Sequence, residues 1–183
     1  MRLVDTAIAD VKLIEPAVFG DARGFFLESF NEQKFAALTG VVDHFVQDNH
    51  SKSVRGVLRG LHYQIQQAQG KLVRVVAGEV FDVVVDLRRS SATFGEHMTV
   101  VLSAENKKML WIPKGFAHGF LVISDHAEFL YKTTDYYAPT HERSLRWSDP
   151  TLNIVWPVDL SGPPQLKPAD AYAPMLVDAE TFP

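Results

Sequence analysis

From Lys71 onward the chain repeats one pattern, a short run rich in Val, Leu, Phe and Tyr followed by a turn. The runs are KLVRVVAG (71–78), EVFDVVVDLR (79–88), HMTVVLSA (97–104), KKMLWIP (107–113), HGFLVIS (118–124) and AEFLYKTTDYY (127–137). Gly78, Ser90-Ser91, Glu105-Asn106, Pro113 to Gly115 and Ser124-Asp125 separate them. β-Branched and aromatic side chains suit a pleated surface better than a helix. Turns about every 8–12 residues are the rhythm of an antiparallel sandwich or barrel. Helical signal is confined to NEQKFAALTG, where Asn31 caps the start and Gly40 the end. After residue 157 the stretch PVDLSGPPQLKPADAYAPM is Pro-rich and is expected to wrap over the body as an irregular tail. The expectation is one all-β domain over 1–183.

Charge narrows the function classes. Eighteen Lys and Arg against twenty-two Asp and Glu give a net charge of −4, which argues against a general nucleic-acid binder. The distribution is uneven. Between Asn49 and Gly78 there is no Asp or Glu, yet Lys52, Arg55, Arg59, Lys71 and Arg74 all fall there. Such a window in an acidic protein suits an anion site. The chain has no cysteine, so disulfides, thiolate nucleophiles and Cys-based metal sites are excluded. No apolar run has the length of a membrane span. MRLVDTAIADVKLIEP holds acids inside its apolar stretch and does not read as a signal peptide. The expected compartment is the cytoplasm.

Three stretches carry polar groups on otherwise apolar strands. In RGVLRGLHYQ (55–64) an extended chain puts Leu58, Gly60, His62 and Gln64 on one face and Val57, Arg59, Leu61 and Tyr63 on the other. In IPKGFAHGF (112–120) Phe116, His118 and Phe120 share a face, and in EFLYKTTDYYAP (128–139) Phe129, Tyr131 and Thr133 do. Pro113-x-Gly115-x-x-His118 has the spacing of the second half of the cupin signature. Where the first half carries His-x-His and a Glu, this chain has His62-x-Gln64 and no Glu before Glu79. The usual imidazole-rich metal site is therefore incomplete, and a metal-free site is expected.

The motifs become specific in combination. DARGFFLESF (21–30), QDNHS (47–51), RGVLRGLHYQ, QGKLVRVVAGEVFDVVVDLRRSSATFG (69–95), LSAEN (102–106), IPKGFAHGF and YKTTDYYAP (131–139) follow one another in that order. This chain resembles the dTDP-4-dehydrorhamnose 3,5-epimerase family over about residues 1 to 157, more weakly in the tail. The resemblance implies a cupin-like antiparallel jelly roll with few short helices and a homodimer. It also implies a cofactor-free reaction on a dTDP-4-keto-6-deoxyhexose, serving dTDP-L-rhamnose biosynthesis.

Residue by residue, the resemblance implies His62 as catalytic base, Tyr131 as general acid and Lys71 as the cation beside the ketone oxygen. His118 becomes a second site histidine and Asp82 a supporting carboxylate. Arg23 and Arg59 become diphosphate ligands. Phe19 and Phe26 cover the thymine, with Glu28, Gln47 and Asn49 as polar contacts. The family orients its base with an Asp in a Leu-Ser-x-Lys-Asp pattern. Here Leu166-Lys167-Pro168-Ala169-Asp170 keeps the Leu and Asp but not the Ser and Lys, so Asp170 takes that role, with Asp178 a poorer alternative. Arg59 and His62 fall on opposite faces of a regular strand. Either Gly60 sits in a bulge or Arg59 serves a neighbouring subunit. The rival readings are a single-position epimerase or ketosugar isomerase, a non-catalytic sugar-nucleotide binder and a metal-dependent cupin.

Overall fold

The computed structural model describes residues 1–157 and 163–183. In chain order the first strands are β1 (Arg2–Val4), β2 (Lys12–Glu15), β3 (Val18–Asp21) and β4 (Gly24–Leu27), followed by helix α1 (Glu32–Thr39). Then come β5 (Gln47–Val54), β6 (Leu58–Gln64), β7 (Lys71–Ala77), β8 (Glu79–Asp86) and β9 (His97–Ser103). β10 (Met109–Ile112), β11 (Phe116–Val122), β12 (His126–Thr133), β13 (Glu142–Ser144) and the short helix α2 (Pro168–Ala171) complete the set.

Each of the six expected apolar runs holds a strand. Helix α1 also lies where the caps placed it: Asn31 accepts from the Lys34 amide, and Gly40 closes the helix at φ +75°. Two antiparallel sheets face each other. One has the order β1-β2-β10-β7-β12-β5 and the other β13-β6-β11-β8-β9, while β3 and β4 form a separate hairpin. This is the jelly-roll arrangement that buries one face of each sheet against the other.

Alternation decides where each side chain goes. Val73, Val75, Val80, Val84, Phe116, Phe120 and Phe129 point between the sheets and form the principal core. The intervening residues Val83, Val85, Ala117 and Leu121 point the other way, under the C-terminal segment, with Leu61, Leu145 and Trp156. β8 and β11 are thus covered on both faces, which is why their sequences read as nearly unbroken apolar runs. On the outside of the six-stranded sheet, Phe35 of α1 packs with Leu72, Met109 and Trp111. Burial of each such side chain is worth about 1.5–3 kcal/mol.

The irregular tail is present but ordered by specific contacts. Gln165 bridges to Val57, and Phe182 bridges to Arg88. The helical turn α2 docks against β6. Residues 158–162 of the expected tail lie outside the described residues.

Candidate active site

Toward one end of the sandwich the core gives way to a cavity of about 380 Å³ between the sheets, large enough for part of a small-molecule ligand. His62, Lys71, His118, Tyr131, Arg59, Gln47 and Asn49 all line it. Each comes from a strand, so the positions are set by pleat and register. His62 of β6 lies opposite His118 of β11. Tyr131 lies opposite Val73 of β7 on one side and Asn49 of β5 on the other.

The question posed by Arg59 and His62 has a local answer. The β6–β11 register shifts between the His62–His118 pair and the Arg59–Phe120 pair. Gly60 there has φ +121°. A Cβ at Gly60 would stand 2.6 Å from the Gly119 Cα, and a Cβ at Gly119 would stand 2.6 Å from the Arg59 carbonyl oxygen. Two facing glycines let the backbones come this close, and the irregularity turns Arg59 into the same cavity as His62. Arg59 lines the cavity of its own chain. Its Nε donates to Ser53 Oγ at 2.9 Å, and its terminal nitrogens make no hydrogen bond among the described residues.

The tail supplies the partner of His62. His62 Nε2 is 2.7 Å from Asp170 Oδ1, while Asp170 Oδ2 accepts from the Gly60 amide at 3.2 Å. Burial opposes ionisation of Asp170. The His62 hydrogen bond and charge, the Gly60 amide and Lys167 together outweigh it and hold the carboxyl below its usual range. An ionised carboxylate only accepts, so Nε2 is the donor in this bond, and in the neutral form of the ring Nδ1 is the acceptor. Asp178 is exposed and its amide bonds to Met175, so it plays no part here.

Asp82 stands behind the cavity wall. It is wholly buried and does not line the cavity. Its oxygens lie 3.1 and 3.0 Å from His118 Nε2, so it orients His118 from behind. Burial raises its pKa, which His118 and Lys71 moderate. Burial also pushes the Lys71 ammonium down to about 8, against the pull of Glu142 and Asp82. Its Nζ lies 3.5 Å from the His62 carbonyl. Tyr131 is driven up by burial, with Arg59 opposing and Glu142 adding, so the phenol stays protonated.

Four expected ligand residues lie elsewhere in this chain. Phe19 and Phe26 pair across the β3–β4 hairpin, 65% and 68% exposed. Arg23 at its tip is bound to Asp21, with its side chain 90% exposed. Glu28 accepts from Lys34 at 2.9 Å. Phe19, Phe26 and Glu28 line a second cavity against Met1, Lys34 and Leu38 of the α1 region.

Sequence reasoning missed Glu142, Tyr137, Gln69 and Lys167 in the cavity wall. Glu142 Oε2 accepts from the Tyr137 hydroxyl at 3.1 Å. Gln69 lay within the quoted QGKLVR run and Tyr137 within YKTTDYYAP. Glu142 sits in a three-residue strand with no motif of its own. Among the described residues no three His, Cys, Asp or Glu side chains gather as a metal-binding group, and no helix is long and apolar enough to cross a membrane.

An imidazole on a buried carboxylate, an ammonium, a protonated phenol and a guanidinium thus converge in one cavity. Fold and site together define a cupin-like jelly-roll isomerase, equipped for proton transfer next to a carbonyl. The chain belongs to the dTDP-4-dehydrorhamnose 3,5-epimerase family, whose pattern it matches over residues 5–178. It is 60% identical over 183 residues to the dTDP-4-dehydrorhamnose 3,5-epimerase of Pseudomonas aeruginosa, covering 100% of both chains. The crystal structure of the Legionella pneumophila dTDP-6-deoxy-D-glucose-3,5-epimerase in complex with dTDP-4-keto-L-rhamnose superposes with a TM-score of 0.94 at 55% identity. That match covers 98% of this chain and 94% of that one. A 3'-monoepimerase from Streptomyces bikiniensis, in complex with dTDP-quinovose, gives a TM-score of 0.88 at 35% identity over 97% of this chain and 88% of that one.

Proposed function

We propose that the protein inverts C3 and C5 of dTDP-4-keto-6-deoxy-D-glucose, giving dTDP-4-keto-L-rhamnose in dTDP-L-rhamnose biosynthesis. The observation that carries this reading is the His62–Asp170 pair facing Lys71 and Tyr131 in one cavity. Protons at C3 and C5 are acidified by the C4 ketone between them. His62 Nδ1 removes one, and the electron pair moves onto O4 as an enolate. Lys71 and His118 stabilise that oxygen, a charge that exists only along the reaction path. Tyr131 returns a proton to the opposite face of the same carbon, and His62 and Tyr131 then re-equilibrate with solvent. The sequence repeats at the second carbon. No step calls for a cofactor.

Arg59 holds the diphosphate, as a guanidinium suits its oxygens. Gln47 and Asn49 contact the nucleotide or sugar. Relatives at 50–60% identity are 3,5-epimerases, which favours inversion at both centres, while at 39% a 3,5-epimerase stands close to the 3'-monoepimerase at 35%. Product analysis tests the reading: purified protein converts the 4-keto-6-deoxy-D-glucose nucleotide into the L-configured ketone, and recovery of a singly inverted sugar would overturn it.

The full site uses two copies of the chain. A hairpin exposing Phe19, Phe25 and Phe26 is an apolar surface that suits a partner. In a homodimer the same hairpin from a second copy brings Arg23, Phe19, Phe26 and Glu28 to the diphosphate and thymine. Phe26→Asp then shifts the protein from dimer to monomer in sedimentation and raises KM about tenfold or more. An unchanged dimer with unchanged KM would contradict this arrangement. The chain 1–183 acts as one catalytic unit, working in the cytoplasm where a protein without cysteines has no need of an oxidising compartment.

Lys71 sets the alkaline limit. Its ammonium, near 8 in the free protein, is charged below that pH and neutral above it. The kcat/KM falls about tenfold per unit as pH rises through and beyond this value. In Lys71→Arg the guanidinium stays charged, so this alkaline limb vanishes even though kcat is lower. A limb that remains in the Arg variant would assign it to another group.

A further inference from the structure

The segment that delivers Asp170 delivers a second charge to the same place. Lys167 stands at the cap of α2, where the pattern noted above has a serine, and its side chain makes no capping hydrogen bond. Instead its Nζ lies 3.6 Å from Asp170 Oδ1, the oxygen that also faces His62 Nε2 at 2.7 Å. Its side chain is 48% exposed and lines the cavity. Serine in that position would cap the helix and bring no charge. We propose that Lys167 is a positioning residue for the base: its ammonium shares Asp170 Oδ1 with His62 and keeps the imidazole neutral, and so able to accept a proton, at lower pH. This rests on the assignment of His62 as the base.

The physical argument is competition for one carboxylate. Protonating His62 places a second cation on an oxygen that already faces Lys167. Asp170 Oδ2 is meanwhile occupied by the Gly60 amide at 3.2 Å. The imidazolium therefore gains less from Asp170 than it would from the same pair without Lys167.

The other groups around His62 come from every neighbouring strand. β7 contributes Lys71, whose Nζ is 3.5 Å from the His62 carbonyl. β11 contributes His118, directly opposite and held by Asp82 of β8. β13 contributes Glu142, two residues from Ser144, which pairs with His62. β12 contributes Tyr131 and β6 itself Arg59. Asp170 and Glu142 favour the imidazolium, while Lys71, Arg59 and Lys167 oppose it. Among the described residues Lys167 is the cation that meets the Asp170 carboxylate itself.

The test is a histidine-labelled NMR titration of His62 in the full chain without substrate, comparing wild type with Lys167→Gln, Lys167→Ser and Lys167→Arg. Both neutral variants raise the His62 midpoint by about 0.5–1 pH unit, as expected for loss of a nearby unit charge at a partly solvated site. Lys167→Arg stays within about 0.2 unit of wild type. The acid limb of kcat/KM moves with the midpoint. Lys167→Ser restores the cap, so its thermal stability holds or rises while its titration still shifts. The proposal is overturned if either neutral variant leaves the midpoint unmoved or lowers it, or if Lys167→Arg shifts it as Gln does. The titration needs no turnover, so a coupled His62 in a protein without epimerase activity would count against the proposed function alone.

Discussion

His62→Gln lowers kcat about 10³-fold, within the range that a positioned general base supplies, and stops deuterium exchange at both C3 and C5. Glutamine carries an amide nitrogen out to the position of the ring Nε2, which faces Asp170 at 2.7 Å, so the backbone irregularity at Gly60 and the docking of α2 survive. The pocket loses only its proton acceptor. Binding of dTDP is nearly unchanged, because Arg59, Gln47 and Asn49 are untouched. Calorimetry for the nucleotide and NMR for exchange check the two halves separately. If inversion persisted within tenfold of wild type, the base would be another group.

Tyr131→Phe has a different signature. As the proposed acid the phenol acts after the enolate has formed, so its loss is expected to leave proton removal by His62 intact. His62 then returns a proton or a deuteron to the face from which it took one. Deuterium therefore still enters the substrate in D₂O, while inversion falls about 10²–10³-fold. Exchange without inversion is expected from a missing acid and not from a misfolded site. Equal loss of exchange and inversion would instead make Tyr131 part of the first step.

His118 and Tyr131 were legible because they sit on strands whose inner faces are otherwise apolar. His118 between Phe116 and Phe120, and Tyr131 two residues after Phe129, break the apolar alternation where the core opens into the cavity. The same logic explains what was not legible. β5 reads QDNHSKSV, polar on both faces, and carries no strand signal. Its inner residues Gln47, Asn49 and Ser51 line the cavity, while Asp48 and Lys52 on its outer face form ion pairs with Lys132 and Glu128. A strand that builds a polar site loses the periodicity by which strands are found.

Non-local partners were the other gap. Asp170 lies 108 residues from His62 and was placed by family resemblance, since a tail carboxylate has no local signal. Glu142 and Lys167 reach the cavity through β13 and α2, both too short to carry a pattern of their own. The face of Arg59 depended on a register shift opposite Gly119, which pleat counting assigns to the wrong side. The acid-free window, by contrast, marked the site well. Arg59, His62 and Lys71 all come from it and all line the cavity, while Asp82 and Asp170 enter from outside.

The central claim is that one base, one acid and one cation work in turn at both carbons beside the ketone. The most direct test is incubation of the wild-type protein with dTDP-4-keto-6-deoxy-D-glucose in D₂O, followed by proton NMR. The account predicts loss of the C3 and C5 proton signals together with appearance of the L-configured product. Exchange confined to one carbon, or none at either, would contradict it.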